Sequence, residues 1–370
     1  MRLTDRRLNR ATLARQLLLE RALLDPVTAV EAVGGLQAQE PASPYLALWT
    51  RLRDYRPDDV TRALHARELV KASLGRSTLH LVSAAEYRSS VTALLAVTRS
   101  RWMQERRGLP VHRSLPELAE ASLAFASEPR TNVELRDHAG TLGEPVAADE
   151  LWRRIRRYGA FVHVPGDEPW GFGRRPVQVA ARAWLPRPES DEAASLEHLV
   201  RTHLRAFGPA RLADMAQWSG LATGILRRGL ERVGDVVTHE DEHGRELYDL
   251  PGAPLPDEDE PAPPRLLPMW DELLLAYADR GRVLPEAYRK RVIVKAGDVL
   301  PTFMIDGYVA GLWWAEAGDG DVPRIVLEPF RRLTPSEHEA LEAEAEALAG
   351  LIAPREPEVY RRYRHTRRRA

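Results

Sequence analysis

Two glutamines separated by one small residue, Gln37-Ala38-Gln39, follow directly on the glycine pair Gly34-Gly35. A side-chain amide is no general base at neutral pH, but it carries one acceptor oxygen and two N–H donors. Two such amides can hold a water in a fixed orientation and aim carbonyl dipoles at a carbon on which positive charge develops. The chemistry needs both side chains on one side of the chain. In an extended stretch residues i and i+2 share a side, whereas on a helix they diverge by about 200°. The reading therefore requires an extended or irregular segment at 37–39, which the preceding glycines and the following Pro41 favour. Without that setting, the triplet is two solvated loop residues.

Other residue types are weighed beside it. Arg99, Arg101, Arg106, Arg107 and Arg113 cluster near one helix end and suit a phosphate backbone or a solvated helix face equally. Six arginines in the segment 361–369 form either a cationic arm or a plain tail. His80 and His163 lie in apolar strands and read as packed core histidines. Asp271-Glu272 precede an apolar run and read as a helix cap, with a catalytic carboxylate as the lesser alternative. Trp313-Trp314 lie on a strand of a hairpin, one toward the core and one free to touch a ligand.

Composition removes whole classes of chemistry. The chain has no cysteine, which excludes disulfides, cysteine-based zinc sites, iron–sulfur clusters and a thiol nucleophile. No histidine or carboxylate group has metal-ligand spacing and no glycine-rich phosphate loop appears, so neither metal nor cofactor is expected. No apolar run approaches the roughly 20 residues of a membrane helix, and residues 1–5 have no signal-peptide core; a cytoplasmic protein is expected. Net charge is −1, yet 50 of the 53 basic side chains are arginine, with lysine only at 71, 290 and 295. Arginine's fork suits phosphate, although a GC-rich genome gives the same ratio.

Residues 1–108 read as helices at Asn9–Leu24, Val27–Val33, Ser43–Leu52 (Ser43 as cap) and Pro57–Ala66, then strands Leu69–Ala72 and Thr78–Val82 joined at Gly75-Arg76, then a long helix Ala84–Arg107. Several helices followed by a two-strand ribbon is the layout of a winged helix. Residues 109–188 repeat it, with helices Pro116–Ser127, Asn132–Ala139 and Ala147–Arg157 and strands Phe161–Val164 and Val177–Ala180. Residues 189–252 do so again, with helices Glu192–Ala206, Ala210–Trp218 and Thr223–Arg232 and strands Val236–Thr238 and Glu246–Tyr248. An acidic, proline-rich linker covers 253–264. Residues 265–352 carry strands at Arg291–Val294, Leu300–Ile305, Tyr308–Trp314 and Arg324–Leu327, a hairpin turn at Asp306-Gly307, and a helix Pro335–Leu351. The basic tail is 353–370. The fold class expected is α+β, mainly α: three tandem winged-helix motifs plus a C-terminal β-hairpin and sheet segment.

Several segments in series resemble the winged-helix DNA glycosylases of the AlkZ/YcaQ family. They are Gly35-Leu36-Gln37-Ala38-Gln39; Thr78-Leu79-His80-Leu81-Val82; Gly208-Pro209 with Asp214 and Trp218-Ser219-Gly220; Asp271-Glu272-Leu273-Leu274 with Tyr277-Ala278-Asp279-Arg280; and Ile305-Asp306-Gly307-Tyr308-Val309-Ala310-Gly311. The resemblance implies a C-shaped molecule with a concave, DNA-sized channel. It implies excision of N7-alkylated purines from double-stranded DNA, including bulky adducts and interstrand cross-links. It places the catalytic centre at Gln37 and Gln39. Glutamine rather than aspartate at 39 points to the branch that gives self-resistance to DNA-cross-linking natural products. The family's duplex-probing hairpin has a candidate in Asp306, Gly307 and Tyr308, with other ribbons left open.

The chemistry is consistent with two amides. An N7-alkylated guanine already carries positive charge, so it leaves as a neutral base without an acid. The transition state is oxocarbenium-like and needs a held water and negative potential near the sugar. A bulky cross-link cannot easily be rotated out of the duplex, so the target base is expected to react in or near the stack. A monomer is expected. Two other functions fit helix-and-ribbon units: a winged-helix transcriptional regulator without catalysis, and a scaffold that sequesters a bulky toxin. Under both, replacing Gln37 or Gln39 leaves function largely intact.

Overall fold

The computed structural model describes residues 1–105, 111–185, 190–294, 297–318 and 322–363. Its first part runs β1 (Arg2–Leu3), α1 (Asp5–Arg15), α2 (Pro26–Ala32), β2 (Leu36–Gln37), α3 (Ala42–Arg51), α4 (Pro57–His65), β3 (Leu69–Ser73), β4 (Leu79–Ser83) and α5 (Ala84–Glu105). Next come α6 (Leu115–Phe125), β5 (Arg130–Thr131), α7 (Asn132–Thr141), α8 (Ala148–Tyr158), β6 (Phe161–His163), β7 (Val177–Ala180) and α9 (Ala181–Trp184). The third part is α10 (Glu192–Phe207), α11 (Leu212–Ser219), α12 (Thr223–Val233), β8 (Val237–Asp241) and β9 (Glu246–Asp249). The C-terminal part holds β10 (Arg265–Leu267), α13 (Glu286–Val292), β11 (Thr302–Ile305), β12 (Tyr308–Glu316), β13 (Arg324–Pro329) and α14 (Pro335–Ile352). The fold is mixed α and β and mainly helical. None of the described helices is long and apolar enough to cross a membrane.

The ribbons do not stay separate. Strand β3 pairs antiparallel with β6, with Lys71 opposite His163, and joins the first two ribbons into a six-stranded sheet of order β2-β4-β3-β6-β7-β5. One face, with Val70, Ala72, Val82, Val162 and Val179, packs on α5 and α10. On the other face, Leu36, Leu69 and Leu81 share a core with α3 and the sheet β10-β11-β12-β13. The third ribbon, β8–β9, pairs instead with β1. Residues 251–264 are irregular, as read, but not a free linker. Arg15 clasps Asp249 and donates to the Pro254 carbonyl, and Arg10 Nε donates to the Glu260 carbonyl at 2.6 Å.

Four local expectations are corrected. The first helix is Asp5–Arg15, not Asn9–Leu24: the Thr4 hydroxyl caps it by accepting from Arg7 N–H, and Leu17 turns to φ +56°. Leu18 is buried by tertiary packing rather than by a continuing helix. Arg291–Val294 is no strand; helix α13 runs through Val292, and only Ile293 bridges to Val299. Ser43 is no cap. Pro41 takes that place, and the Ser43 hydroxyl bonds the Tyr360 hydroxyl at 2.9 Å. Both Trp313 and Trp314 are buried, so neither faces a ligand.

Candidate active site

Gln37 is extended, at the end of strand β2, and Ala38 carries the ladder one bond further, whereas Gln39 lies in a bend. Gly34 and Gly35 adopt φ +78° and +90°, which turns the chain out of α2 at no steric cost. A Cβ on Gly35 would stand 2.9 Å from Val82 Cγ1, so the chain can lie against β4 only with glycine there. Gln37 pairs with His80, and Ala38 N–H donates to the Leu79 carbonyl at 2.7 Å.

The two amides are placed differently. Directly opposed residues of an antiparallel pair share a face, so Gln37 lies on the His80 side. It is 6% exposed, and its Oε1 is buried with no donor. Gln39 is exposed, and its Oε1 accepts from Leu79 N–H at 2.9 Å. Gln37 therefore has a free acceptor, whereas Gln39 keeps two free N–H donors.

His80 is more than packing. Its Nε2 lies 3.0 Å from Glu272 Oε1, which also accepts from Arg76 Nη2 at 2.6 Å. Burial alone would raise the Glu272 carboxyl, but the Arg76 charge and the hydrogen bond from His80 outweigh it and bring it down to about 2. Glu272 Oε2 is a second buried acceptor without a donor. Asp271 takes the other reading of this pair. It caps the single turn Glu272–Leu274 through Leu273 N–H and is gripped by Arg51 at 2.8 and 2.9 Å. The His80–Glu272 contact escapes sequence reading because it joins residues 192 positions apart.

Gln39 opens onto a cleft of about 1200 Å³, with Lys71, His163 and Phe172 on its walls and Arg174, Arg175, Arg361 and Arg362 around it. The start of the basic tail is seated here: Arg362 pairs with Glu40, and the Tyr363 hydroxyl donates to Glu40 at 3.0 Å. Residues 364–369 lie outside the described residues.

Among the described residues, the other expected contact residues are not brought to this cleft. Asp306-Gly307 is a hairpin turn as read, with φ of +48° and +80°. It is closed onto α1: Asp306 pairs with Arg6 and Arg10, and Asn9 Nδ2 donates to the Gly307 carbonyl at 2.8 Å. Tyr308 beside it is half-buried. Arg99 lies over the Tyr158 ring, and Arg113 pairs with Glu144. Arg106, Arg107 and the Arg101 side chain lie outside the described residues.

A family model described as DNA glycosylase AlkZ-like matches residues 30–351. The chain belongs to the AlkZ-like DNA glycosylase family. Membership sets aside the regulator without catalysis and makes DNA the substrate of this AlkZ-like protein. The chain is 28% identical to an interstrand DNA cross-link repair glycosylase of Streptomyces sahachiroi, over 90% of this chain and 93% of that one. It shares its fold with the solved Streptomyces sahachiroi DNA glycosylase AlkZ, at a TM-score of 0.76 and 20% identity over 96% of this chain and 98% of that chain.

Proposed function

We propose that this glycosylase hydrolyses the N-glycosidic bond of N7-alkylated purines in duplex DNA. Its substrates include interstrand cross-links, and its role is self-resistance to a DNA-alkylating natural product. The observation that carries the reading is Gln39 at the edge of an arginine-rimmed cleft, two residues beyond the strand residue Gln37. The name of the Streptomyces relative supports the cross-link.

Roles follow from which atoms are free. The unpaired, buried oxygen of Gln37 adds negative potential as cationic character develops on the sugar. Gln39, its oxygen held by Leu79, donates from its amide nitrogen to a sugar or phosphate oxygen. Glu272, kept ionised by Arg76, adds negative potential behind His80. The base leaves neutral, so no general acid is used. The three helix-and-ribbon units act as winged helices along the duplex, with the protein working as a monomer.

Single-turnover release from duplex carrying 7-methylguanine tests this with wild type, Gln37→Ala and Gln39→Ala. Release by wild type, with at least a tenfold loss in either variant and unchanged duplex binding, is expected. Release untouched by both substitutions would move the centre elsewhere. No release despite tight duplex binding would refute the reading.

A further inference from the structure

A polar row that the hydrolysis above does not use reaches the cleft wall at Lys71 and His163. Lys71, His163 and Gln178 stand directly opposite one another on the adjacent strands β3, β6 and β7. Directly opposed side chains of antiparallel strands share a face, so the three form one line across the sheet. Lys71 is only 4% exposed, and its ammonium meets no carboxylate or carbonyl among the described residues. Its Nζ lies 4.6 Å from the centre of the Phe172 ring. Burial holds the Lys71 amine down at about 8.

His163 is set as a donor. Gln178 Nε2 donates to His163 Nε2 at 3.3 Å, which leaves the ring proton on Nδ1. Burial, with the charges of Lys71 and Arg156, holds the ring at about 3, so it is neutral at physiological pH. Two neighbouring N–H donors thus share a pocket with an aromatic wall, since Phe172 meets His163 edge-on at 6.5 Å. Gln39 is near: its oxygen is fixed to Leu79, the diagonal same-face neighbour of Lys71 across the strand pair. Gln39 and Lys71 line the same cleft.

We propose that Lys71, with His163 beside it, is a specificity subsite that donates to the O6 of the guanine being released, with the ring lying on Phe172. The inference rests on the glycosylase reading above. Guanine presents an acceptor oxygen at the position where adenine carries an amino group. Two donors meeting that amino group would be left unpaired, and a site built to hydrogen-bond discriminates strongly for that reason. The subsite therefore favours guanine-type over adenine-type lesions.

The test is single-turnover release from duplexes carrying 7-methylguanine or 3-methyladenine, with wild type, Lys71→Met and Lys71→Gln. Lys71→Met should lose about tenfold or more on 7-methylguanine and less than threefold on 3-methyladenine. Lys71→Gln, which keeps an N–H donor, should recover part of the loss. Binding of free 7-methylguanine, read by quenching of intrinsic fluorescence, should weaken about tenfold in Lys71→Met and less in Lys71→Gln. Equal loss on both lesions, no loss on either, or unchanged binding of the free base would overturn the subsite and leave the glycosylase standing. A wild type that releases neither base would overturn both.

Discussion

Gln37→Leu should separate catalysis from stability. Gln37 is 6% exposed and its Oε1 has no donor. A buried acceptor left unpaired costs about 1–3 kcal/mol. Leucine has nearly the volume of glutamine and nothing to satisfy. The variant should keep its packing, shed that cost, and be as stable as wild type or about 1 kcal/mol more so. Loss of one preorganised polar group where charge develops slows a reaction by roughly 10²–10³. Base release should therefore fall about 100-fold while the urea midpoint holds or rises. Gln39→Leu should behave differently, because Leu79 N–H loses its acceptor. That bond lies at an exposed site, so its loss costs about 1 kcal/mol at most. Urea unfolding and single-turnover release measured on the same preparations decide the matter. A Gln37→Leu protein destabilised by about 2 kcal/mol, with activity falling only as the folded fraction falls, would show that the glutamine is structural and refute the argument.

Three further outcomes follow from the buried charges. The Glu272 carboxyl lies at about 2 in the folded protein against an ordinary 4.5, so its pairing contributes roughly 3 kcal/mol above pH 4.5 and loses it as pH falls toward 2; Glu272→Gln should flatten the acid unfolding profile in that window. Lys71 has the opposite sign, because between pH 8 and 10.5 the unfolded chain binds more protons than the folded one. Stability should rise across that range by roughly 3 kcal/mol from this group, and Lys71→Met should abolish the rise and be more stable at pH 7 by thermal unfolding. Arg51→Ala leaves Asp271 charged and buried, with both side chains 0% exposed in the pair, and should cost about 3–5 kcal/mol in urea unfolding.

The legible parts of this chain were those with local causes. Pro57 at the head of α4, Gly75-Arg76 between β3 and β4, and Asp306-Gly307 each mark an element through backbone preference alone. The extended state at Gln37 is legible too, because Gly34-Gly35 can take positive φ and Pro41 resists a helix start upstream, but the bend at Gln39 is not. What stayed hidden was set by pairing across sequence. Nothing in Lys71 or His163 by itself says that β3 and β6 meet edge to edge, and that contact creates the polar row. His80 looked like core because its strand is apolar; its partner Glu272 arrives from a distant turn. Asp306-Gly307 is legible as a turn, but its docking on α1 depends on Arg6, Arg10 and Asn9, which sequence does not place.

Gln39→Glu tests why this position is an amide. A carboxylate there would keep an oxygen for Leu79 N–H, so the latch and the fold should survive. It would lose both N–H donors and set a second negative charge beside Glu40, which already takes Arg362 and the Tyr363 hydroxyl. A charge at the mouth of the cleft would also repel the phosphates that the surrounding arginines attract. If Gln39 works through its donors, Gln39→Glu should release base at least tenfold more slowly at pH 7.5, with duplex binding weakened and its salt dependence reduced. The urea midpoint should stay within about 0.5 kcal/mol of wild type. If Gln39 contributes only an acceptor or a negative end of a dipole, the carboxylate should serve as well or better. Release at or above the wild-type rate would then reverse the role assigned to Gln39, leaving the buried oxygen of Gln37 as the group that the chemistry cannot replace.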